Sequence, residues 1–309
     1  MPPFASLPCP RITIIIPTAC SAQRADSLLR AIDSIHQASS GSTKIIVAAN
    51  GPNIDAALAK QLAERPDLHY VFFEEGSSPK TLSIAMPLVE TEFFGFLDDD
   101  DELLPNALMQ RLSVLLSHPE AGLVVSNGYI RKSGEDIVCF RHMNKIRTDP
   151  LGALMLENWL PSCGGLYRTS SVGPLYFQDY HPYAEWSWLA FRLVLDNQKI
   201  CVLDAPTFRI NADTPSSLSK SAEYRQNYIN LYRKMLGLQP PHRIRAILRK
   251  KLAQACHDAS DQALNNGRIG ESIRYHVLSL SGWHGLGFIP YTRHILFRGL
   301  RDLINNLSR

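Results

Sequence analysis

The sequence predicts an α/β protein with a mainly parallel sheet flanked by helices, followed by a C-terminal all-helical extension. Continuous apolar segments that are typical of buried strands alternate with helical patterns through about two thirds of the 309 residues. From about Tyr224 onward, the chain shows helical periodicity alone. We therefore expect an α/β domain over residues 1–222 and a helical extension over residues 223–309.

Strands and helices alternate from the start of the predicted α/β domain. Residues 12–18 are β-branched and continuously apolar, as in a central parallel strand, and Pro17 interrupts the run. The spacing of the segments that follow predicts right-handed strand–helix–strand units. Further strands are predicted at residues 44–50, 68–73 and 93–97, and helices at residues 24–37, 55–65 and 80–89.

The second half of the predicted domain contains shorter elements. Gly164 and Gly165 precede one of its strands, where they either let the backbone approach a ligand closely or form a tight turn. Strands are predicted at residues 123–130, 137–140, 166–168, 199–203 and 207–211, and helices beyond Pro105 and at residues 150–158 and 183–193. In the extension, helices are predicted at residues 244–265, 269–280 and 291–307.

The composition is that of a soluble globular protein, with 45% hydrophobic and 20% charged residues and a net charge of +3. That charge is too small to indicate nucleic-acid binding. The six cysteines lack a metal-binding spacing, so we expect reduced thiols. The N-terminus lacks a signal-peptide pattern and no apolar run is long enough to span a membrane, which predicts a cytoplasmic location. Dinucleotide-binding and P-loop glycine patterns are absent from the sequence.

Four consecutive aspartates, Asp98 to Asp101, follow the predicted strand at residues 93–97, and Glu102 comes next. Adjacent carboxylates repel one another unless a cation or protons compensate. One interpretation is a site for Mg²⁺ or Mn²⁺, which prefer oxygen ligands, because Asp98 and Asp100 can both reach one ion from a turn. The alternative is a solvated acidic turn before the next helix, which Asp101 and Glu102 are expected to cap.

Glu185 stands among aromatic residues in the predicted helix at residues 183–193. A carboxyl group in apolar surroundings has a raised pKa, which suits a general base or acid. The alternative is a carboxylate at a helix N-terminus that faces the solvent. The residues alone leave both interpretations open.

Taken in order, four segments resemble the family 2 glycosyltransferases, which have the Rossmann-like GT-A fold. Residues 14–18, IIIPT, are similar to the family's first strand, and residues 96–105, FLDDDDELLP, are similar to its most specific motif. Residues 185–193, EWSWLAFRL, lie where the family has an acidic pair followed by a helix. Residues 209–211, RIN, followed by Ser216, Ser217 and Ser219, resemble its closing segment. The resemblance extends over about residues 12–219.

The resemblance implies an inverting glycosyltransferase of polysaccharide biosynthesis. It would move a sugar from a nucleotide-diphosphate sugar, with a UDP-sugar favoured, to a hydroxyl group of a glycan or a lipid-linked glycan. Mn²⁺ or Mg²⁺ held by Asp100 and Asn211 would bridge the donor diphosphate, and Glu185 would be the catalytic base. The implied nucleotide-sugar-binding residues are Pro17, Thr18, Asn50, Lys80, Asp98 and Asp99.

Three residues depart from the family pattern. Asn50 stands where many members have an aspartate that contacts uracil, Trp186 replaces the aspartate of the acidic pair, and Asn211 replaces a histidine often found near the metal. They motivate a second hypothesis, a GT-A-like module that binds a glycan or a nucleotide without turnover. A third hypothesis, a nucleotidyltransferase, normally needs a loop rich in glycine and basic residues after the first strand, whereas residues 19–24 supply Arg24 alone.

The predicted helix at residues 291–307 is amphipathic, with arginines opposite its apolar face. Basic amphipathic helices bind among the headgroups of anionic membranes, where a lipid-linked acceptor is found. This helix therefore either contacts the inner face of the membrane peripherally or packs its apolar face on the protein or on a partner chain.

Overall fold

The computed structural model of the chain describes residues 11–39, 43–213 and 222–298. Contacts divide the chain into two compact units, Met1–Ser217 and Leu218–Arg309. The first unit is a sheet flanked by helices and the second is helical. The predicted α/β class with a C-terminal helical extension is confirmed.

The described part of the first unit forms a nine-stranded sheet with the order β3-β2-β1-β4-β8-β6-β9-β5, and β7 pairs with β6. Most paired residues lie in the parallel ladders β1–β2, β1–β4, β2–β3 and β6–β9, as predicted. The strands are β1 (Ile12–Thr18), β2 (Thr43–Asn50), β3 (Leu68–Phe73), β4 (Phe93–Phe96), β5 (Glu102–Leu103), β6 (Leu123–Lys132), β7 (Glu135–Val138), β8 (Gly165–Arg168) and β9 (Ile200–Asn211).

Helices cover the sheet and link its strands. In the first unit they are α1 (Ala25–Ala38), α2 (Ala56–Ala63), α3 (Ser78–Ala85), α4 (Ala107–Ser117), α5 (Met143–Thr148), α6 (Pro150–Leu154), α7 (Leu175–Gln178) and α8 (Glu185–Leu195). Short 3₁₀ helices occupy Ala22–Arg24, Met86–Leu88 and Ser162–Gly164.

The central strands β1 and β4 determine where the site lies. All seven residues of β1 and all four of β4 are buried, which accounts for their continuous apolar sequences. The two strands are adjacent and parallel, and the ladder continues as the Leu97 N–H donates to the Ile15 carbonyl at 3.1 Å. Their carboxyl ends therefore lie at the same edge of the sheet. The acidic run leaves β4 at that edge.

Several predicted elements differ from the structure. The predicted strands at residues 199–203 and 207–211 are one irregular strand, β9, whose register against β6 shifts beside Asn127. The helix predicted at residues 150–158 ends at Leu154. The predicted capping of α4 by Asp101 and Glu102 is wrong, because its N-cap residue is Asn106, with φ of 61° and no side-chain cap. Glu102 belongs instead to the short strand β5, which pairs with β9.

Arg111 of α4 is a buried cation at the junction of four elements. Its guanidinium donates to Ser126 Oγ of β6 at 3.1 Å, to Thr207 Oγ1 of β9 at 2.7 Å and to the Cys163 carbonyl at 2.7 Å. Burial lowers the pKa of Arg111 to about 10, so the side chain stays charged at neutral pH. A buried charge needs such acceptors, because leaving water is costly. Arg111 thus fixes the Ser162–Gly164 turn against the sheet.

The second unit contains α9 (Ala222–Gly237), α10 (His242–Asn265), α11 (Ile269–Ser279) and a 3₁₀ segment at Trp283–Tyr291. Ser260 Oγ of α10 donates to the Ser272 carbonyl of α11 at 2.8 Å, and both serines are buried. Residues 292–298 are helical, and the rest of the helix predicted at residues 291–307 lies outside the described residues. Among the described helices, none combines the length and apolar character needed to cross a membrane.

We predict that Arg111→Met lowers the free energy of unfolding by about 3 kcal/mol, because it leaves several buried acceptors without a donor. Urea denaturation followed by circular dichroism measures this loss. Arg111→Lys keeps the charge and should lose less. The exposed Arg30 of α1 supplies the control, since Arg30→Met should change stability by about 0.5 kcal/mol or less. Equal losses for the two methionine variants would contradict this role for Arg111.

Candidate active site

The end of β1 carries two of the predicted binding residues, Pro17 and Thr18, and contacts two others. Thr18 Oγ1 donates to Asp99 Oδ2 at 2.6 Å, and Asn50 Nδ2 donates to the Thr18 carbonyl at 3.1 Å. Asn50 is the last residue of β2, so the carboxyl ends of β1 and β2 and the turn after β4 meet here. The structure thus brings Pro17, Thr18, Asn50 and Asp99 together.

Asp99 is buried and holds the turn to the sheet. Besides Thr18, Arg24 donates to its carboxylate, and Arg24 Nη1 also lies 3.4 Å from Asp100 Oδ2. Burial raises the pKa of Asp99, although Arg24 and Thr18 oppose that rise. The Asp100 side chain is 17% exposed, so it remains accessible to a ligand at the edge of the sheet.

Asp98 is the first carboxylate of the acidic turn, and a hydroxyl group holds it in place. Ser162 Oγ donates to Asp98 Oδ2 at 2.7 Å, which ties the turn to the Ser162–Gly164 segment. Burial raises the pKa of Asp98 to about 7, the charges of Asp100, Asp99 and Glu185 add to the rise, and the Ser162 hydroxyl opposes it. Phe96 precedes Asp98 by two residues and packs on Trp186, the residue after Glu185, so the structure places the predicted base near the acidic turn.

Glu185 is the first residue of α8 and is partly buried. The Tyr183 N–H donates to Glu185 Oε1 at 3.1 Å, and Tyr183 has a positive φ of 63°, a conformation uncommon outside glycine. Burial raises the pKa of the Glu185 carboxyl, and hydrogen bonds from the backbone N–H groups of Glu185 and Tyr183 partly offset this rise. Glu185 therefore lies in a partly apolar recess rather than in open solvent, which supports the first of the two interpretations. Aromatic residues of this recess are Tyr176, Phe177, Tyr180, Trp186 and Trp188.

Trp186 stands where the family that the sequence resembles has an aspartate. In this structure Trp186 packs on β4, the strand that leads into the acidic turn. Its ring centroid lies 5.1 Å from that of Phe96, two residues before Asp98. Phe96 in turn contacts Phe177 at 5.1 Å between centroids. This aromatic contact holds the start of α8, and with it Glu185, against the end of β4.

Asn211 closes the acidic turn from the other side. Its backbone N–H donates to Asp101 Oδ1 at 3.0 Å, and its Nδ2 donates to the Asp100 carbonyl at 2.6 Å. Asp101 is buried, and burial raises its pKa. Asn211 thus fixes the backbone on which Asp100 is carried, while its predicted role as a metal ligand stays a prediction.

Lys80 belongs to α3 and forms an ion pair with Glu75. A Cβ atom on Gly51, which follows Asn50, would lie 3.3 Å from Gly76 Cα, so the loop before α3 touches the loop after β2. The start of α3 therefore lies near the edge where Asn50 ends β2. The predicted contact of Lys80 with the nucleotide base or a phosphate stays a prediction.

The donor atoms at this edge suit a divalent metal that is shared with a ligand. Among the described residues, no three or more His, Cys, Asp or Glu side chains form a complete metal cage. Mg²⁺ commonly needs no such cage, because one or two carboxylates and substrate phosphates with waters complete its coordination. Asp100 fits that chemistry, and Arg24 competes for the same carboxylate.

Sequence reasoning missed the partners that position the acidic residues. In the sequence Arg24 stands out only as the single basic residue of residues 19–24, and nothing in its spacing links it to Asp99 and Asp100, which lie 75 and 76 positions further along the chain. Ser162 carried no signal either. The tight-turn alternative for Gly164 and Gly165 holds, since Ser162–Gly164 is a 3₁₀ turn that leads into β8.

We predict that Trp186→Ala lowers the free energy of unfolding by about 2 kcal/mol, less than for a fully buried tryptophan, because it removes the contact with Phe96. Trp186→Phe keeps an aromatic ring there and should lose about half as much. Urea denaturation measures both losses. An alanine variant as stable as the wild type would contradict the packing role of Trp186.

Comparisons with known proteins agree with this geometry. The model of the family described as glycosyl transferase family 2 matches residues 13–169. No protein among the curated sequences matches the chain significantly. TarS 1-349 of S. aureus in complex with UDP-GlcNAc is 15% identical, with a TM-score of 0.59, covering 86% of this chain and 79% of that one.

Two further structures of TarS 1-349 are similar to the chain. One has a TM-score of 0.56 at 14% identity and covers 96% of this chain and 91% of that one. The other, in complex with UDP, has a TM-score of 0.54 at 14% identity and covers 93% of this chain and 87% of that one. These likenesses show the GT-A fold. With the family model matching more than half of its residues, the chain belongs to glycosyl transferase family 2 and is a glycosyltransferase.

Proposed function

We propose that the enzyme transfers a sugar from a nucleotide-diphosphate sugar to a hydroxyl group of a glycan or a lipid-linked glycan, with metal assistance and inversion at the anomeric carbon. The observation that carries the proposal is the packing of Phe96, two residues before Asp98, on Trp186, the residue after Glu185, which brings the acidic turn and Glu185 close together. A turn that can hold a donor diphosphate thereby lies near a carboxylate that can activate an acceptor.

The donor proposal is supported by the similar TarS structures, which contain UDP-GlcNAc and UDP. In this chain the nucleoside would lie along Pro17, Thr18 and Asn50, with Asp98 and Asp99 beside it. Ligands of open α/β sheets commonly bind at the carboxyl ends of the strands, where these residues lie. We favour a UDP-sugar.

A divalent ion would be held by Asp100, with the donor phosphates completing its coordination. When bound, Mn²⁺ or Mg²⁺ offsets the negative charge that develops on the departing diphosphate. The protein's part is to hold the Asp100 backbone in place, which Asn211 does by donating to the Asp100 carbonyl at 2.6 Å.

Glu185 would be the general base. A sugar hydroxyl is a weak acid, so its attack needs a positioned proton acceptor. The acceptor hydroxyl would lose its proton to the Glu185 carboxylate as its oxygen bonds to the anomeric carbon and the nucleoside diphosphate leaves. One direct displacement inverts the configuration at that carbon. The aromatic recess around Glu185 supports a sugar as acceptor, because aromatic rings supply large contact areas together with polar groups.

The alternative of a GT-A-like module that binds without turnover rests on Trp186 and Asn211. Both have structural roles that leave Glu185 and Asp100 in place, which favours an enzyme with turnover.

A panel of nucleotide sugars, assayed for metal-dependent release of nucleoside diphosphate, decides between the enzyme and the binding module. We expect release from at least one UDP-sugar when acceptor is present. Tight donor binding without release for any acceptor would favour the binding module, and pyrophosphate release from a nucleoside triphosphate would favour a nucleotidyltransferase.

Asp100→Ala should abolish metal-dependent turnover and leave the fold intact, because it removes the carboxylate that would hold the ion. The assay compares turnover across a Mn²⁺ titration with the thermal stability of the same preparation. Asp67→Ala is the control, since Asp67 pairs with Arg65 near β3 and should leave turnover unchanged. Metal-dependent turnover at the wild-type rate in Asp100→Ala would contradict the assignment.

Glu185→Gln should keep donor binding and lose transfer, with a fall in kcat of roughly 10²-fold or more. In the wild type, a base must be deprotonated to act, so transfer should rise with pH through a Glu185 pKa that burial places above the ordinary glutamate value. This acid limb should disappear from any residual activity of the variant. Transfer by Glu185→Gln at the wild-type rate would show that another group is the base.

We also propose that the second unit contacts an anionic membrane, at the cytoplasmic face where a lipid-linked acceptor would be found. The segment from residue 272 to residue 301 contains no Asp or Glu and includes four arginines. Within it, Trp283 is 88% exposed, and Leu286, Ile289 and Phe297 are also exposed. Exposed apolar residues with basic neighbours suit the headgroup region of anionic lipids.

Replacement of both Trp283 and Ile289 by serine should reduce cosedimentation with vesicles that contain phosphatidylserine. The effect should be smaller with neutral vesicles, because the attraction is partly electrostatic. Leu175→Ser is the control, since Leu175 is 72% exposed in the first unit. If the double variant pellets as the wild type does, these residues pack on protein instead, as in the alternative of a partner chain.

A further inference from the structure

Arg24 connects two carboxylates of the acidic turn. It lies at the end of the 3₁₀ helix Ala22–Arg24, immediately before α1, and its side chain is 21% exposed. Arg24 donates to Asp99 Oδ1, and the same nitrogen, Nη1, lies 3.4 Å from Asp100 Oδ2. One guanidinium thus neutralises both the buried anchor of the turn and the carboxylate that we assign to the metal.

The two contacts differ in how firmly they are held. Asp99 is 7% exposed in its side chain, accepts a second hydrogen bond from Thr18 and cannot turn to solvent without losing it. Asp100 is more exposed, and its 3.4 Å approach to Arg24 is longer than a strong charge-assisted hydrogen bond. The Arg24–Asp99 pair is therefore the fixed part, and the Arg24–Asp100 pair is the part that can be exchanged.

A divalent ion on Asp100 would meet the positive charge of Arg24 at short range. Two cations near one carboxylate repel each other, and the repulsion is strong in a partly buried site. A diphosphate removes the conflict, because its oxygens can accept hydrogen bonds from the planar guanidinium as well as bind the metal. Arg24 would then bind the donor without leaving Asp99.

We propose that Arg24 couples metal binding to donor binding. Arg24 pairs with Asp100 when no donor is present, and it donates hydrogen bonds to the donor diphosphate when Asp100 binds the metal. This inference rests on the proposed function for the donor and the metal. It makes Arg24 a donor-binding and positioning residue that keeps the free enzyme a weak metal binder. Metal and nucleotide then bind as a pair.

The test is a calorimetric titration of the full chain with Mn²⁺, with and without UDP. Arg24→Gln should bind Mn²⁺ alone roughly tenfold more tightly than the wild type, a coupling of ordinary size. In the same variant, UDP should bind more weakly and should increase the Mn²⁺ affinity less than it does in the wild type. Arg24→Lys keeps the charge and should retain weak Mn²⁺ binding. Arg65→Gln removes another Arg–Asp pair, with Asp67, and should match the wild type.

Removal of Arg24 also leaves the buried Asp99 without its cation, which can impair folding. A second comparison starts from Asp99→Asn, which removes the buried carboxylate, so that loss of Arg24 leaves no unpaired charge at position 99. The double variant Asp99→Asn/Arg24→Gln should bind Mn²⁺ more tightly than Asp99→Asn does. Unchanged or weaker Mn²⁺ binding after loss of Arg24 would overturn the inference, as would equal tightening in Arg24→Lys. Tighter Mn²⁺ binding together with no UDP binding by the wild type would instead contradict the donor proposal and leave the competition at Asp100 intact.

Discussion

The crowding of carboxylates at the end of β4 is the constraint on which the rest of the site depends. Four adjacent aspartates leave a buried strand, and each needs a partner to remain in place. Thr18 and Arg24 donate hydrogen bonds to Asp99, Ser162 donates to Asp98, and the Asn211 backbone N–H donates to Asp101. These contacts draw β1, the Ser162–Gly164 turn and β9 to one edge of the sheet. Asp100 is left with the weakest hold and the greatest freedom to bind a ligand.

The aromatic core beneath this edge sets the position of Glu185, which we propose as the base. Phe96 packs against Trp186, so the strand that ends in the acidic turn also supports the first turn of α8. A departure from the family's acidic pair thereby becomes a packing contact. The acid that remains, Glu185, lies in a recess where burial raises its proton affinity. The Phe96–Trp186 pair thus links the packing of β4 to the position of the proposed base.

The sequence predicted the sheet well because its central strands are continuous apolar runs whose burial leaves few alternatives. It also placed Asp98, Asp100 and Glu185 among the candidates, first through their residue types and surroundings and then through the motif resemblance. It could not predict Arg24–Asp99, Ser162–Asp98 or Arg111–Thr207, since each pair joins residues at least 64 positions apart through tertiary packing. The sequence predicts two strands in place of β9, because the bulge beside Asn127 interrupts the pattern. It also predicts that Asp101 and Glu102 cap α4, whereas both residues contact β9.

A crystal structure of the enzyme with UDP and Mg²⁺ tests the central claim most directly. We expect an ion held by the Asp100 carboxylate together with the diphosphate, with the nucleoside beside Thr18 and Asn50. The sugar side of the diphosphate should then point toward Glu185. A nucleotide bound away from this edge, or an ion coordinated without Asp100, would contradict the assignment of the acidic turn as the donor site.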